Sequence, residues 1–168
     1  MSVIDFIEEK ELITLKRLYH VESPISLCRL PYPGHKKGCP NVGKSNSCPP
    51  YAIRLGRKYN LQKPCYFVYV KFNIKKQETR MLKLHPNWTK KQARCLLYWQ
   101  NAVRKELKEI AEFYSLNPDL DYELIPEAMG LHVFETAIYH GIKIERNYST
   151  QEYIYKIAFI GELRDEEE

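Results

Sequence analysis

Residues 65–72, CYFVYVKF, are the stretch that most directly indicates the fold. They are mostly aromatic and β-branched, and Pro64 precedes them. Such side chains suit the pleated surface of a sheet, so this run predicts a well-buried strand. Residues 152–161, EYIYKIAFIG, alternate well enough to predict another strand, and residues 122–125 a short third one. The chain therefore contains a small sheet, which we expect to be mixed.

Residues 89–114 predict one long amphipathic helix. Thr89 and Gln92 have the spacing of a capping box, and the helix should end before Asn117-Pro118. Over about seven turns, apolar residues recur at helical spacing. They are Ala93, Leu96, Leu97, Val103, Leu107, Ile110, Ala111 and Tyr114. The opposite face carries Lys90, Lys91, Arg94, Arg104, Lys105 and Lys108.

Three further helices are predicted, at 3–20, at 51–59 and at 131–140, the last closed by Gly141. Helices and strands interleave, so the predicted fold class is α/β or α+β. At 168 residues the chain is long enough to bury a core. We expect a single domain over residues 1–163, followed by an acidic tail at 164–168.

The net charge of +5 conceals a strong asymmetry. Residues 28–110 carry nineteen basic and three acidic side chains, a net charge of +16. Residues 1–27 carry −2 and residues 111–168 carry −9. The basic block favours an anionic partner, either nucleic acid or a phosphorylated small molecule. The alternative is a solvated basic face balanced by acidic elements of the same fold.

Several protein classes are disfavoured. No apolar run approaches the roughly 18–20 residues of a membrane span, and the N-terminus has acidic residues where a signal peptide needs a basic flank. The five cysteines cannot form a complete set of intramolecular disulfides. In a reducing compartment, clustered cysteines are more often metal ligands or catalytic groups. We therefore expect a cytoplasmic protein with no membrane contact.

The cysteine loop, residues 28–51, reads CRLPYPGHKKGCPNVGKSNSCPPY. Cys28, Cys39 and Cys48 have the spacing C-x10-C-x8-C, without the close C-x2–4-C pairs of structural zinc sites. Cys-Pro also occurs at the end of ferredoxin ligand runs. We predict that the three thiolates bind an iron–sulfur cluster of the [4Fe-4S] type, with zinc as the alternative.

A fourth ligand is not evident from the spacing. Cys65 is the main candidate because it begins a strand, and Cys95, His35 and His20 are others. The alternative for Cys65 and Cys95 is a small apolar residue in the core. Without a fourth protein ligand, one iron would be open to substrate.

Basic side chains around the cysteines are predicted to face the substrate. They are His35, Lys36, Lys37, Lys44 and Arg54. Farther along, His85 and Trp88 either stack on a nucleobase or belong to a turn before the long helix.

Residues 38–52, GCPNVGKSNSCPPYA, resemble the signature of the DUF2284 family of metal-binding proteins, with a Cys-Pro pair, a glycine-containing stretch and Cys-Pro-Pro in that order. Residues 126–161 are similar to the C-terminal part of that family. The resemblance implies a cysteine-bound metal or iron–sulfur centre and little about reaction. In this chain the first two cysteines are farther apart than is usual there, and no cysteine follows Cys95.

Two functions follow as expectations. One is a cytoplasmic iron–sulfur protein that carries out redox or sulfur chemistry on an anionic substrate such as a nucleotide or RNA. The other is a non-enzymatic, zinc-stabilised module that binds nucleic acid.

Overall fold

A computed structural model describes residues 1–32 and 35–165. The predicted cysteine loop and acidic tail each lie partly outside these ranges, at 33–34 and 166–168. One antiparallel sheet organises the described residues, with strands in the order β1-β2-β4-β3. The strands are β1 (Ile7–Leu15), β2 (Cys65–Asn73), β3 (Leu120–Glu123) and β4 (Tyr153–Glu162). The fold is therefore α+β in a single domain, and its sheet is antiparallel throughout rather than mixed.

Strand β2 is central, as its composition predicts. It pairs with β1 on one side and with β4 on the other, so that Val68 lies opposite both Leu12 and Ala158. Because successive side chains point to opposite faces, β2 contributes to two hydrophobic cores. Cys65, Phe67 and Tyr69 lie in one core, and Val68, Val70 and Phe72 lie in the other.

Helices cover both faces of the sheet. They are α1 (Ile25–Cys28), α2 (Leu55–Lys58), α3 (Ile74–Leu84), α4 (Lys90–Ala93), α5 (Gln100–Tyr114) and α6 (Val133–Tyr139). Leu55 of α2 and Ala137 of α6 pack in the core that contains Phe67. Ile74 of α3 and Val103 of α5 pack in the core that contains Phe72. Helix α2, which follows the cysteine loop, and helix α5 thus lie on opposite sides of the sheet.

The helix predicted over residues 3–20 is wrong. Only Val3–Phe6 form a short 3-10 turn, and β1 follows directly. Its charged side chains bond across the strands: Lys71 Nζ lies 2.7 Å from Glu9 Oε1, and Tyr69 donates a hydrogen bond of 2.8 Å to Glu11. Pairing with β2 therefore outweighs a mixed local pattern that also fits a helix.

The single helix predicted over residues 89–114 is interrupted. The capping box exists, with Thr89 Oγ1 accepting from Gln92 N at 3.2 Å, but α4 ends at Ala93. Cys95 is extended and Trp99 is also non-helical. Trp99 is 1% exposed, stacks on Phe72 and donates from Nε1 to Arg94 O. The chain leaves the helical path because burying this large ring against the sheet requires it.

The remaining predictions are confirmed with shifted ends. The short helix within 51–59 is α2, the short strand is β3, and the helix within 131–140 is α6, which is followed by Gly141 at φ +82°. Helix α3 is an addition that the sequence analysis did not predict. Asn73 caps it by accepting a hydrogen bond from Lys76 N at 2.9 Å.

Candidate metal centre

The first two cysteines of the loop are joined through the backbone. Cys28 ends α1, and its carbonyl accepts a hydrogen bond of 2.7 Å from Cys39 N. Gly38 makes this approach possible, because a Cβ at that position would lie 2.4 Å from Cys28 O. Gly38 also has φ +85°, a conformation that glycine adopts without steric cost.

The third cysteine lies in a polar turn. Cys48 Sγ is 3.2 Å from Ser45 Oγ and 3.3 Å from Asn41 O. The pKa of Cys48 is lowered, first by the Ser45 side chain and then by backbone N–H groups, including those of Lys44 and Gly43. This turn stabilises a thiolate, which is the form of cysteine that binds metals.

Cys28 lies within electrostatic range of both Cys39 and Cys48. Burial is the largest cause that raises the pKa of Cys28, and the charges of Cys39 and Cys48 come next. None of the five cysteines is in a disulfide. Within residues 1–32 and 35–165, however, no three His, Cys, Asp or Glu side chains are grouped so as to hold a metal ion. The soft donors that iron–sulfur clusters use are present, but they do not surround one point.

Of the proposed fourth ligands, Cys65, Cys95 and His35 are buried or half-buried, and His20 is exposed. Cys65 is 3% exposed in the core, and burial raises its pKa to about 11. Cys95 is half-buried between α4 and α5. His35 is half-buried and packs on Tyr32, with ring centroids 4.8 Å apart. His20 pairs through its backbone with Leu131. Cys65 as a ligand stays a prediction.

Two groups near the thiols are additions to the predicted site. Glu127 lies in the 3-10 turn Pro126–Met129, which contacts α1, and its charge contributes to raising the pKa of Cys28. Burial raises the pKa of Glu127 itself. The pKa of Tyr32 is raised by burial first and then by the charge of Cys39. Glu127 lies ninety-nine positions from Cys28, so no local spacing marks it, although Tyr32 lies within the cysteine loop.

An open cavity of about 300 Å³ adjoins the cysteine loop. Ile25 lines it three residues before Cys28, and Pro49 lines it directly after Cys48. Arg54 contributes the only cationic side chain among the described lining residues. The other residues are Glu22, Ser23, Pro24, Pro50, Ala52 and Ala128.

Arg54 is held in place by the segment between β1 and α1. Its Nη2 donates to Val21 O at 2.5 Å, and its Nη1 donates to Glu22 O at 3.3 Å. Gly130 leaves room for the guanidinium, since a Cβ there would lie 2.6 Å from Arg54 Cζ. Of the basic residues predicted to face a substrate, Lys36, Lys37 and Lys44 are exposed outside the cavity, and only Arg54 lines it.

No helix within the described ranges combines the length and apolar character needed to cross a membrane. Comparison of the chain with protein-family models, curated proteins and solved structures finds no match. The resemblance to DUF2284 stays a prediction.

Proposed function

We propose that this chain is an iron–sulfur protein whose cluster, of the [4Fe-4S] type, is held by Cys28, Cys39 and Cys48. The observation that carries the proposal is that Cys28 lies within electrostatic range of the other two thiols of the loop, Cys39 and Cys48. The three thiols come from the end of α1 and from two turns of one irregular loop, yet the charges of Cys39 and Cys48 both act on Cys28. Free thiols that cluster without a metal are exposed to oxidation, which favours a bound metal as the reason for their proximity.

A cluster suits the arrangement better than a single zinc ion. Structural zinc is bound tetrahedrally, with Zn–S distances of about 2.3 Å, so its ligands must meet at one point. No described group does so. The irons of a cluster are separate atoms, and each needs its own thiolate. The three cysteines of the loop, spaced C-x10-C-x8-C, could each bind a different iron.

The adjoining cavity supports an anionic substrate. When bound, a cluster with three cysteine ligands supplies an iron that can act as a Lewis acid. Arg54 would bind and orient the anion, since only two of the five N–H donors of a guanidinium are used for Val21 O and Glu22 O. Glu127, with its raised pKa, is suited to hold a proton beside Cys28. A nucleotide or the end of an RNA strand is the substrate class that the basic segment favours.

Metal analysis of anaerobically purified protein tests the cluster. We expect a brown protein that absorbs near ~400 nm, with about four irons and four sulfides per chain. Cys39→Ser should lose most of the iron, whereas Cys95→Ser, outside the loop, should retain it. A colourless protein with about one zinc would instead support the nucleic-acid module. Absence of both metals would overturn the proposal of a metal centre.

Calorimetric titration tests the anion site. Inorganic phosphate and then a nucleoside monophosphate should bind the wild type, and Arg54→Leu should bind either one at least tenfold more weakly. Lys44→Leu, which removes an exposed cation outside the cavity, is the matched control and should bind like the wild type. Equal weakening by both substitutions would indicate general electrostatic attraction and would contradict a site at Arg54.

A further inference from the structure

A stack of three aromatic rings lies between the end of α3 and the start of α5. His85 and Trp88 are nearly parallel, with an interplanar angle of 12° and ring centroids 3.9 Å apart. Tyr98 follows, with its ring centroid 5.2 Å from that of Trp88. His85 and Tyr98 are exposed, so the stack is accessible to solvent.

The stack is rigidly supported. His85 N bonds to Met81 O at 2.8 Å where α3 ends, and Trp88 N bonds to His85 O at 3.0 Å. Thr89 then caps α4. Tyr98 is fixed from the other side, because its neighbour Trp99 is buried in the core. The rings are thus positioned before any partner binds.

The chain segment that carries the stack has charges of one sign. Residues 79–105 contain seven lysines and arginines and no acidic residue. Lys83, Lys90 and Lys91 are exposed at the two ends of the turn that carries Trp88. In the part of the chain that the structure describes, the ion pairs involve other residues, so the charges of these three lysines remain available.

We propose that the surface formed by His85, Trp88 and Tyr98 with Lys83, Lys90 and Lys91 binds single-stranded nucleic acid. Proteins bind single strands by stacking bases on aromatic rings and by placing cations along the phosphates. Here the exposed rings offer π-faces, and the lysines flank them. Because duplex bases are already stacked on one another, this surface selects unpaired strands. The surface is separate from the cysteine loop, so the inference does not depend on a cluster.

Intrinsic fluorescence provides a direct test, because Trp88 and the buried Trp99 are the two tryptophans. Oligothymidylate and oligouridylate of about 12 nucleotides, a length within the site sizes of such proteins, should quench the emission. Trp88→Phe should abolish the quenching while Trp99 emission remains. Quenching by either oligonucleotide supports the proposal, and comparing their affinities distinguishes DNA from RNA as the preferred strand.

Fluorescence anisotropy measures the affinity for these oligonucleotides and distinguishes the contribution of base stacking from that of charge. His85→Ala and Tyr98→Ala should each weaken binding roughly tenfold. The double substitution Lys90→Ala/Lys91→Ala should reduce the slope of log affinity against log salt by about 1.4, since each phosphate contact on a single strand contributes ~0.7. Lys36→Ala/Lys37→Ala removes the same charge from the cysteine loop and should leave both quantities unchanged. Circular dichroism checks that each variant is folded.

Three outcomes would overturn the proposal. One is binding of duplex as tight as that of single strands. Another is an equal loss of affinity in the Lys36/Lys37 control, which would place binding on the cysteine loop. The third is a blue shift of Trp88 emission with vesicles of anionic phospholipid and no response to oligonucleotides, which would identify a membrane-binding surface. None of these three outcomes depends on whether the protein contains a metal.

Discussion

At the scale of single residues, the cysteines differ sharply although they are chemically alike. Cys48 lies in a turn whose hydroxyl and N–H groups lower its pKa. Cys28 is partly desolvated and lies near other thiolates, which raises its pKa. Cys65 is buried in the core, and its pKa is about 11. Local environment therefore decides which thiols are reactive.

Ser45→Ala should slow the alkylation of Cys48 in protein freed of metal by a chelator. The lowered pKa gives Cys48 a larger thiolate fraction below the ordinary thiol pKa of about 8.5. Losing the Ser45 hydrogen bond raises that pKa again, so the rate should fall below pH 8 and converge with the wild type well above pH 9. Mass spectrometry after brief iodoacetamide treatment measures each cysteine separately.

Ser47→Ala is the matched control, because the Ser47 hydroxyl bonds to Ser45 and not to the thiol. It should leave the pH profile of Cys48 close to that of the wild type. In the wild type, Cys28 should react more slowly than Cys48, and Cys65 should react only on unfolding. Faster labelling of Cys65 than of Cys48 would contradict these assignments.

At the scale of elements, one buried ion pair organises the junction of α3, α4 and α5. Arg94 Nη1 lies 2.8 Å from Glu78 Oε2, and their side chains are 4% and 10% exposed. Arg94 Nη2 also donates to the carbonyls of Tyr148 and Gln151, at 2.8 and 2.6 Å. The pair thus joins the helices to the turn that precedes β4.

Arg94→Met should lower the free energy of unfolding by about 3–5 kcal/mol, because it leaves the Glu78 carboxylate buried without its partner. Urea denaturation measures this loss. The double variant Arg94→Met/Glu78→Leu should be more stable than Arg94→Met alone, since it removes the unpaired charge. Glu109→Gln, in the exposed pair with Lys105, should cost only about 0.3–0.5 kcal/mol. If Arg94→Met costs no more than this control, the pair has no special structural role.

At the scale of the whole molecule, Arg54 connects the cysteine loop to the rest of the fold. Its contacts with Val21 O and Glu22 O attach the loop to the segment after β1. That segment bonds in turn to the end of the 3-10 turn before α6, with Val21 N donating to Gly130 O at 2.9 Å. The segment between β1 and α1 and the turn before α6 therefore meet at the guanidinium of Arg54.

Gly130→Ala should destabilise the protein more than Gly141→Ala does. Both glycines have positive φ, +92° and +82°, so each alanine carries a strain of about 1–2 kcal/mol. Only at position 130 would the new Cβ also meet Arg54, whereas it meets nothing within 4 Å at position 141. The difference in unfolding free energy between the two variants measures the clash. In an Arg54→Ala background, the two glycine variants should have the same unfolding free energy. If the difference between them persists there, it comes from backbone strain and not from a clash with Arg54.

Sequence patterns predicted an element correctly where the residues that determine it are close together in the chain. The buried strand at Cys65–Asn73, the capping box at Thr89 and the glycine after α6 follow from composition and from turn chemistry, which depend on near neighbours along the chain. The helix expected over residues 3–20 was wrong because the strand partner of this segment lies fifty or more positions away. The interruption of the helix before Trp99 also has a distant cause, because the indole of Trp99 is buried against Phe72.

By itself the sequence determined that this protein is a mixed helix-and-strand domain with three cysteines on a proline-rich loop and a concentrated basic segment. Only the tertiary structure decided that the sheet is antiparallel with β2 inside, that Glu127 lies near Cys28, that Arg54 lines a cavity next to the cysteine loop, and that His85, Trp88 and Tyr98 form one stack. Composition and short-range spacing specify which secondary structure each segment can form. Contacts between distant segments depend on which buried surfaces fit together, and that is settled only when the whole chain packs.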